Sequence, residues 1–431
     1  MSTSLRGIAN RARKDKKARF QNLYRLLDEE NLRVSFYELR KTAAAGIDKV
    51  TFQDYENNLE ERLSNLVERL KEKRYRAKPV RRKYIPKADG KKRPLGIPAL
   101  EDKVLQRACA KTLNAIYEED FLECSWGYRP GRSAQRASYE LERALHRGKY
   151  GWVVEADIRG FFENIDHDWM QRMLEERVDD RAYIRLIRKW LRGGIMEEDG
   201  KMIHPATGTP QGGIISPVLA NIYLHYVLDR WFNKVIKAES RGAIYLIRYA
   251  DDFVCAFQYR EDALRFKREL PTRLKKFGLE VAEEKTKMHR FSRFGGGDNG
   301  KFDFLGFEFR WVKRRSGKRG VQRRTSVKKK RVSIANFSQW IKENRHKPMA
   351  KLMRIVSSKL RGYWNYYGVR GNMKSLSQVN HECKRLLFKW LNRRSQRRSY
   401  TWEGFIDMLK HYRIPRPCIT EASQDPQLKM F

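Results

Sequence analysis

Two strongly apolar runs meet at a pair of adjacent acids, Asp251 and Asp252, in the segment AIYLIRYADDFVCAF (residues 243–257). The β-branched and aromatic residues on both sides predict two strands joined as a hairpin. Neighbouring carboxylates repel each other and are poorly solvated beside buried strands, so the chain must usually supply a compensating cation. A divalent metal ion is the natural candidate, whereas a solvated hairpin turn would explain the acid pair on its own.

A third acid favours the metal interpretation. Asp157 ends a β-branched run in GWVVEADIRGFFENIDHD (residues 151–168), 94 residues before Asp251. Three acids at the ends of buried strands could converge on two Mg²⁺ ions, which prefer carboxylate and phosphate oxygens and can clamp an in-line phosphoryl transfer. This pattern predicts a nucleic-acid polymerase.

The charge of the chain points to the same class of partner. Its 431 residues include 93 Lys and Arg against 52 Asp and Glu, a formal net charge of +41. A surplus of this size is typical of proteins that neutralise many phosphates, so we expect a nucleic-acid partner. Residues 313–431 hold 31 basic and 6 acidic residues. The C-terminal part is therefore expected to bind the phosphates of the nucleic acid through its positive charge.

Membrane and disulfide-rich classes are disfavoured. No apolar run approaches the ~20 residues that span a bilayer, and the basic start MSTSLRGIANRARKDKKARF lacks the apolar core of a signal peptide. The five cysteines are scattered, without the paired spacing of a zinc site. We expect a protein of a reducing, cytoplasmic compartment without a membrane partner.

Two basic segments contain candidate binding residues. A strand pair turning near Gly90 has Lys87 before the turn and Arg93 after it, which could lay two cations over a triphosphate. The turn-rich SWGYRPGRSAQRA contains Arg129 and Arg132, which could contact template phosphates. The alternatives are that the charges of the first segment are simply solvated in a turn and that Pro and Gly of the second segment form an ordinary loop.

The motifs together resemble those of a known family. The segments, in chain order, are IPKADGKKRPLGIP, SWGYRPGRSA, EADIRGFF, TPQGGIISPVLANIYL, YADD, EEKTK (283–287) and FDFLGFEF (302–309). They have the order and spacing of the motifs of group II intron-encoded reverse transcriptases, the maturases, over roughly residues 22–418. So many ordered motifs make a chance match negligible.

The resemblance implies an α+β fold of the right-hand polymerase type. It would have an antiparallel palm sheet, a helical N-terminal extension and a helical thumb or X domain. The expected organisation is a basic, mobile arm (1–20), N-terminal extension and fingers (21–150), palm with YADD (151–312), basic insert (313–332), thumb or X domain (333–398) and short C-terminal extension (399–431).

The resemblance also assigns metal ligands. Asp157, Asp251 and Asp252, with the backbone carbonyl of Ile158, would hold two Mg²⁺ ions, with Mn²⁺ as the alternative. These ions would promote attack of a primer 3′-OH on an α-phosphate.

Further residues would bind the nucleotide. Lys87 and Arg93 would bind the triphosphate, and Phe162 would be the steric gate against a ribose 2′-OH, with Phe161 in the core. Gln211 would lie beneath the nascent base pair. Lys285 is a candidate proton donor to pyrophosphate, although a Lys in a charged run is usually just solvated.

Residues for primer and RNA binding follow in the same way. Phe302, Leu305 and Gly306 would shape the primer grip. The remaining RNA contacts would come from arginines beside aromatic helical segments, where most aromatics are expected to pack between helices: Arg361, Arg393, Arg394, Arg397 and Arg398.

The partners implied are group II intron RNA or another RNA template, a DNA or RNA primer, deoxynucleoside triphosphates and target DNA. The location implied is the cytoplasm of a bacterial-type cell, in association with the nucleoid or a ribonucleoprotein. Without cysteine pairs, the chain is expected to be a form lacking the HNH endonuclease. Two alternatives stay open beside the polymerase that assists splicing and retrohoming. One is a domesticated enzyme of host defence or repair, and the other is a catalytically idle RNA-binding splicing cofactor.

Overall fold

The computed structural model describes residues 3–86, 90, 92–294, 300–314, 316–396 and 399–421. Lys87, Arg397 and Arg398 therefore lie outside the described residues. The chain divides into two compact units. The first comprises Met1–Arg132, Ala156–Phe253 and Glu261–Lys287, and the second comprises Ser133–Glu155, Val254–Arg260 and Met288–Phe431.

The α-helices of the described residues are α1 (Thr3–Lys14), α2 (Glu29–Tyr37), α3 (Phe52–Glu56), α4 (Leu59–Lys71), α5 (Leu100–Tyr117), α6 (Ala134–Arg147), α7 (His167–Glu175), α8 (Arg181–Leu191), α9 (Ser216–Leu224), α10 (Lys237–Glu239), α11 (Arg260–Lys275), α12 (Val327–Asn344), α13 (Met349–Tyr367), α14 (Met373–Leu391) and α15 (Trp402–His411). Between α9 and α10 the chain forms two π-helical turns, His225–Asp229 and Phe232–Ile236.

The strands are β1 (Val80–Pro86), β2 (Lys92–Ile97), β3 (Trp152–Arg159), β4 (Ile195–Met196), β5 (Met202–Ile203), β6 (Ile244–Tyr249), β7 (Asp252–Phe257), β8 (Glu280–Val281), β9 (Lys287–Arg290), β10 (Phe302–Phe304), β11 (Phe307–Lys313) and β12 (Arg319–Thr325). No helix in the described part of the chain is both long and apolar enough to cross a membrane.

Helix α5 forms the centre of the N-terminal helices. Val104, Leu105, Leu113 and Ile116 are fully enclosed, and α1 and α2 both pack against this helix. A helix that is apolar on nearly every side belongs inside a core. This burial fixes the position of α5, the helix that follows β2 in the chain.

The prediction that residues 1–20 form a mobile basic arm is wrong. Helix α1 buries Leu5, Ala9 and Ala12 and packs against α5. Arg13 donates to both carboxylate oxygens of Glu119 at 2.9 and 3.0 Å. The many cations occupy the exposed face, so composition concealed an amphipathic helix.

The sheets contain the predicted hairpins. Strands β1 and β2 pair antiparallel with Pro86 opposite Lys92, which confirms the strand pair expected around Gly90. They continue into a sheet of order β2-β1-β4-β5. The two apolar runs form neighbouring strands of a second sheet with order β6-β7-β3-β8, where β9 also pairs with β3. Asp157 lies on β3, next to the strand that Asp252 begins.

The second unit contains the sheet β10-β11-β12 and helices α12 to α15. Its helical core includes Leu352, Val356, Trp364, Leu376 and Leu391, all at most 1% exposed. The expectation that most aromatics here pack between helices is confirmed, since Tyr363 and Tyr367 pack against the same cluster.

The basic stretch at 313–332 is not an irregular insert. It comprises the end of β11, all of β12 and the first turns of α12. Alternate residues of β12, Val321, Arg323 and Thr325, are buried. This is the two-residue period of a strand, and it was hidden in the sequence because an arginine takes one of the inward positions.

Arg323 is fully buried and ties together distant parts of the second unit. Its guanidinium donates to Glu142, to the Ser138 hydroxyl at 2.9 Å and to Glu421. Glu142 and Ser138 lie on α6, whereas Glu421 follows α15 in the chain. A buried charge is tolerated only when it is paired and hydrogen-bonded, as here.

We expect Leu5→Ala to reduce the free energy of unfolding by about 2 kcal/mol, because it removes a buried side chain from the α1–α5 contact. Urea denaturation measures this change. Arg6→Ala, on the exposed face of α1, is the matched control and should have little effect. Equal stability of all three proteins would contradict a docked N-terminal helix.

Candidate active site

The acid pair lies at a tight turn between β6 and β7. Ala250 is 6% exposed and has a φ of 58°, a left-handed conformation that is uncommon for residues with a Cβ. Asp251 follows in the turn and Asp252 begins β7. Surrounding contacts must hold such a conformation, because it costs free energy.

Those contacts come from the buried side chain of Arg248. Its five N–H donors are all used: two on the carboxylate of Asp229 at 2.6 and 2.7 Å, and one each on Asn221 Oδ1, Ser125 Oγ and the carbonyl of Ala250. Arg248 and Asp229 are both completely buried. The guanidinium thus connects the turn to the π-helical segment and to the loop at 125.

The SWGY loop lies directly against this turn. The backbone N–H of Trp126 donates to the Arg248 carbonyl at 2.8 Å, and the amide of Asn221 donates to the Gly127 carbonyl at 2.7 Å. A Cβ at Gly127 would lie 2.4 Å from the backbone nitrogen of Ala250. Glycine is therefore required for this close approach.

Sequence reasoning missed Arg248, Asp229 and Asn221. The available signal was an arginine inside an apolar strand, in IYLIRY, where a charge needs a buried partner. The sequence does not indicate which acid that partner is, because it lies on another element.

The electrostatic surroundings of Asp251 bring several predicted residues together. Burial raises the pKa of its carboxyl above the ordinary value, and the charge of Asp157 raises this pKa further. Arg93 and Lys285 oppose the shift. Asp157, Arg93 and Lys285 therefore all lie close enough to Asp251 to interact with its charge, although they come from separate segments.

Asp157 forms an ion pair with Lys285. The hydrogen bond to Asp157 is the main cause of the raised pKa of the Lys285 ammonium, to which Asp251 also contributes. Lys285 was expected to be either solvated or a proton donor. In the structure it is engaged with one of the candidate metal ligands.

The three acids do not form a ready ligand cluster. Within the described ranges, no group of three or more His, Cys, Asp or Glu side chains is arranged to hold a metal ion. Asp157 instead pairs with the Lys285 ammonium, which offsets its repulsion with Asp251. The oxygen donors still fit a hard divalent cation, because Asp157 is an acid close enough for its charge to act on the Asp251 carboxyl.

The predicted gate residue follows β3 in a short turn. Gly160 has a φ of 53° and starts a 3₁₀ turn at Phe161–Glu163. Phe161 is 1% exposed, whereas Phe162 is partly exposed. Phe161 therefore lies in the core, as expected, whereas part of the Phe162 residue is accessible to solvent. The Ile158 side chain is buried, opposite Val281 of β8.

The glycine-rich loop in TPQGGIISP (residues 209–217) contacts strand β2. The backbone N–H of Gly96 donates to the Gln211 carbonyl at 2.6 Å, and Gly212 has a φ of 117°. A Cβ on Gly212 would lie 2.6 Å from the Gly96 carbonyl oxygen. This contact holds Gln211 against the strand that carries the exposed Arg93.

The contacts of Arg129 and Arg132 favour a structural role over the predicted phosphate contact. Arg129 is 7% exposed and donates to Glu118 and to the carbonyls of Leu122 and Ser125. Arg132 donates to Glu123 and the same Ser125 carbonyl, and it lies over the Trp126 ring. Both guanidiniums hold their own loop.

The other predicted contacts belong to the second unit. Leu305 and Gly306 form the left-handed turn between β10 and β11, with φ of 52° and 79°. The Tyr366 hydroxyl donates to the Leu305 carbonyl at 2.9 Å. The turn of the expected primer grip is thus fixed by helix α13.

The arginines of the second unit differ in exposure and contacts. Arg361 lies on the exposed face of α13, where it lines a cleft with Arg354 and Asn365. Arg393 lies over the Trp390 ring, and Arg394 donates to the Lys347 carbonyl at 3.0 Å. Of these three arginines, Arg361 and Arg393 are exposed, whereas Arg394 is partly buried.

Comparison with known proteins adds two family matches. Residues 85–309 match the family described as reverse transcriptase (RNA-dependent DNA polymerase), and residues 333–404 match the group II intron, maturase-specific domain. The group II intron-encoded protein LtrA of Lactococcus lactis subsp. cremoris is 29% identical over 91% of this chain and 77% of its own length. Protein YkfC of Escherichia coli (strain K12) is 33% identical over 59% of this chain and 75% of its own length.

We expect Asp229→Asn to reduce the free energy of unfolding by about 3–5 kcal/mol, because Arg248 would keep a buried charge without its anionic partner. Urea denaturation measures the effect. Asp407→Asn removes one partner of the exposed pair with Lys410 and should leave stability unchanged. Similar stability of the two variants would show that the Arg248 pair does not support the turn.

Proposed function

Since the chain belongs to the reverse transcriptase family and carries the maturase-specific domain of group II introns, we propose that Asp157, Asp251 and Asp252 form its polymerisation site. Family membership makes it an RNA-directed DNA polymerase of the right-hand fold. Its domains act on an RNA template and on intron RNA during splicing.

The observation that best supports this site is the neighbourhood of Asp251. Another acid, Asp157, and two cations, Arg93 and Lys285, interact with its charge. The acids suit divalent metal ions, which the family generally uses. The cations suit a nucleotide that carries several phosphates.

We propose that the divalent ions are two Mg²⁺, with Mn²⁺ as an alternative. Asp157, Asp251, Asp252 and the Ile158 carbonyl would hold them. The ions would neutralise charge at the transferred phosphoryl group. The ion pair with Lys285 orients the Asp157 carboxylate and limits its repulsion with Asp251. The same ammonium could supply a proton to departing pyrophosphate.

The remaining groups position the substrates. Arg93, together with Lys87, binds the triphosphate of the incoming deoxynucleotide, whose sugar packs against Phe162. Gln211 lies beneath the new base pair. A DNA or RNA primer supplies the 3′-OH, and target DNA supplies the insertion site in retrohoming. Positioning and charge neutralisation account for the rate without an assigned catalytic base.

The second unit would bind RNA through phosphate contacts. Arg361 and Arg354 share the exposed face of α13 and line one cleft. Two guanidiniums on the same side of a helix suit successive phosphates of an RNA strand. Leu305 and Gly306 would guide the primer strand.

We expect Asp251→Ala combined with Asp252→Ala to abolish metal-dependent cDNA synthesis and to leave RNA binding largely intact, because most of the net positive charge lies in the second unit. Primer extension and filter binding measure the two properties. The matched control replaces another adjacent acid pair, Glu198→Ala with Asp199→Ala, which lies exposed between β4 and β5. Normal extension by the first double variant would refute the assignment.

We expect Phe162→Ala to reduce discrimination against ribonucleotides at least about tenfold, because the ring no longer excludes a 2′-OH. Single-nucleotide incorporation of matched deoxy- and ribonucleotides measures this ratio. Tyr259→Ala removes another exposed ring and should retain normal discrimination. If the Phe162 variant also keeps it, another residue is the gate.

A further inference from the structure

Tyr128 has an unusual combination of conformation and exposure. Its φ is 59°, a left-handed conformation that is an outlier for a bulky aromatic residue, and its side chain is 51% exposed. The residue is only about half buried, so burial offsets little of the strain. Strained backbone of this kind concentrates where a side chain must be presented to a ligand.

The residues on either side of Tyr128 are firmly held. Gly127 lies against Ala250 and accepts a hydrogen bond from Asn221. Arg129 is buried and donates to Glu118 and two backbone carbonyls. The loop is therefore anchored immediately before and after Tyr128, so its strained conformation is imposed rather than adopted freely.

The Tyr128 ring lies beside the turn between β6 and β7 that leads into Asp251. Gly127 is in direct contact with the turn that leads into Asp251. Partial burial is the main cause of the raised pKa of the Tyr128 hydroxyl, Asp251 and Tyr249 raise this pKa further, and Arg93 opposes them. Tyr128 is thus close to both the acid and the cation between which the reacting groups would meet.

We infer that Tyr128 is a substrate-positioning residue whose ring packs against the nucleotide at the primer 3′ end. This inference rests on the proposed function. An aromatic face stacks on any base, so it can hold the terminal nucleotide of every sequence that the enzyme extends. The ring would align the 3′-OH beside Asp251, where a small misplacement lowers the rate strongly.

The test replaces the ring and relieves the strain together. Tyr128→Gly permits a positive φ, so its melting temperature should equal or exceed that of the wild type. Its maximal rate of single-nucleotide incorporation should fall about tenfold or more, with little change in the KM for the deoxynucleotide. Tyr128→Asn, which also tolerates this conformation, should behave alike, and Tyr128→Phe should retain most activity.

Lys73→Gly is the matched control, because Lys73 is also exposed and has a φ of 62°. It should keep normal incorporation. A primer ending in 2-aminopurine gives a readout without turnover: its fluorescence in the complex should be quenched by the wild type and less quenched by Tyr128→Gly.

The outcomes separate the two levels of the proposal. If the wild type does not extend a primer, the proposed function fails and the role of Tyr128 fails with it. If the wild type extends and Tyr128→Gly matches its rate, only the role of Tyr128 is refuted. A raised KM for the deoxynucleotide at an unchanged maximal rate, or a loss of activity that follows a fall in melting temperature, would also refute the primer-end assignment.

Discussion

The buried ion pair of Arg248 and Asp229 is the interaction on which the candidate site depends. Removing two charges from water is costly, and the structure offsets that cost by using every N–H of the guanidinium. One of those bonds holds the carbonyl of Ala250, whose left-handed conformation sets the direction in which Asp251 leaves the strand. A planar group with five fixed donors is suited to this task, and a lysine could not replace it.

Charge compensation explains the chemistry next to this turn. The charge of Asp157 disfavours the ionised form of Asp251, and Lys285 and Arg93 counter that effect. The protein thereby keeps two interacting acids in a fold that must also admit an anionic RNA template. The same side chains can serve stability and substrate binding, because an ammonium paired with a carboxylate is also a donor for phosphate oxygens.

The elements that could be predicted from the sequence are those specified by residues close together in the chain. The β6–β7 hairpin and the strand pair around Gly90 follow from apolar runs and turn residues, and the family match confirms the right-hand polymerase class. Prediction from the sequence failed for arginine, because this residue type acts both as a surface cation and as a buried hydrogen-bond donor. Arg129, which was predicted to contact template phosphates, is buried and donates to its own loop, and Arg323 concealed the period of β12. Long-range partners such as Asp229 cannot be read from spacing.

The contacts of Arg323 impose an order on the maturation of the second unit. Glu142 precedes this arginine in the chain, but Glu421 is separated from it by 98 positions and follows α15. During synthesis, which proceeds from the N-terminus, the guanidinium has only one of its two carboxylates until that late segment leaves the ribosome. Final closure of this core therefore waits for the segment that carries Glu421, and nascent chains halted before residue 421 hold an incompletely neutralised cation in their interior.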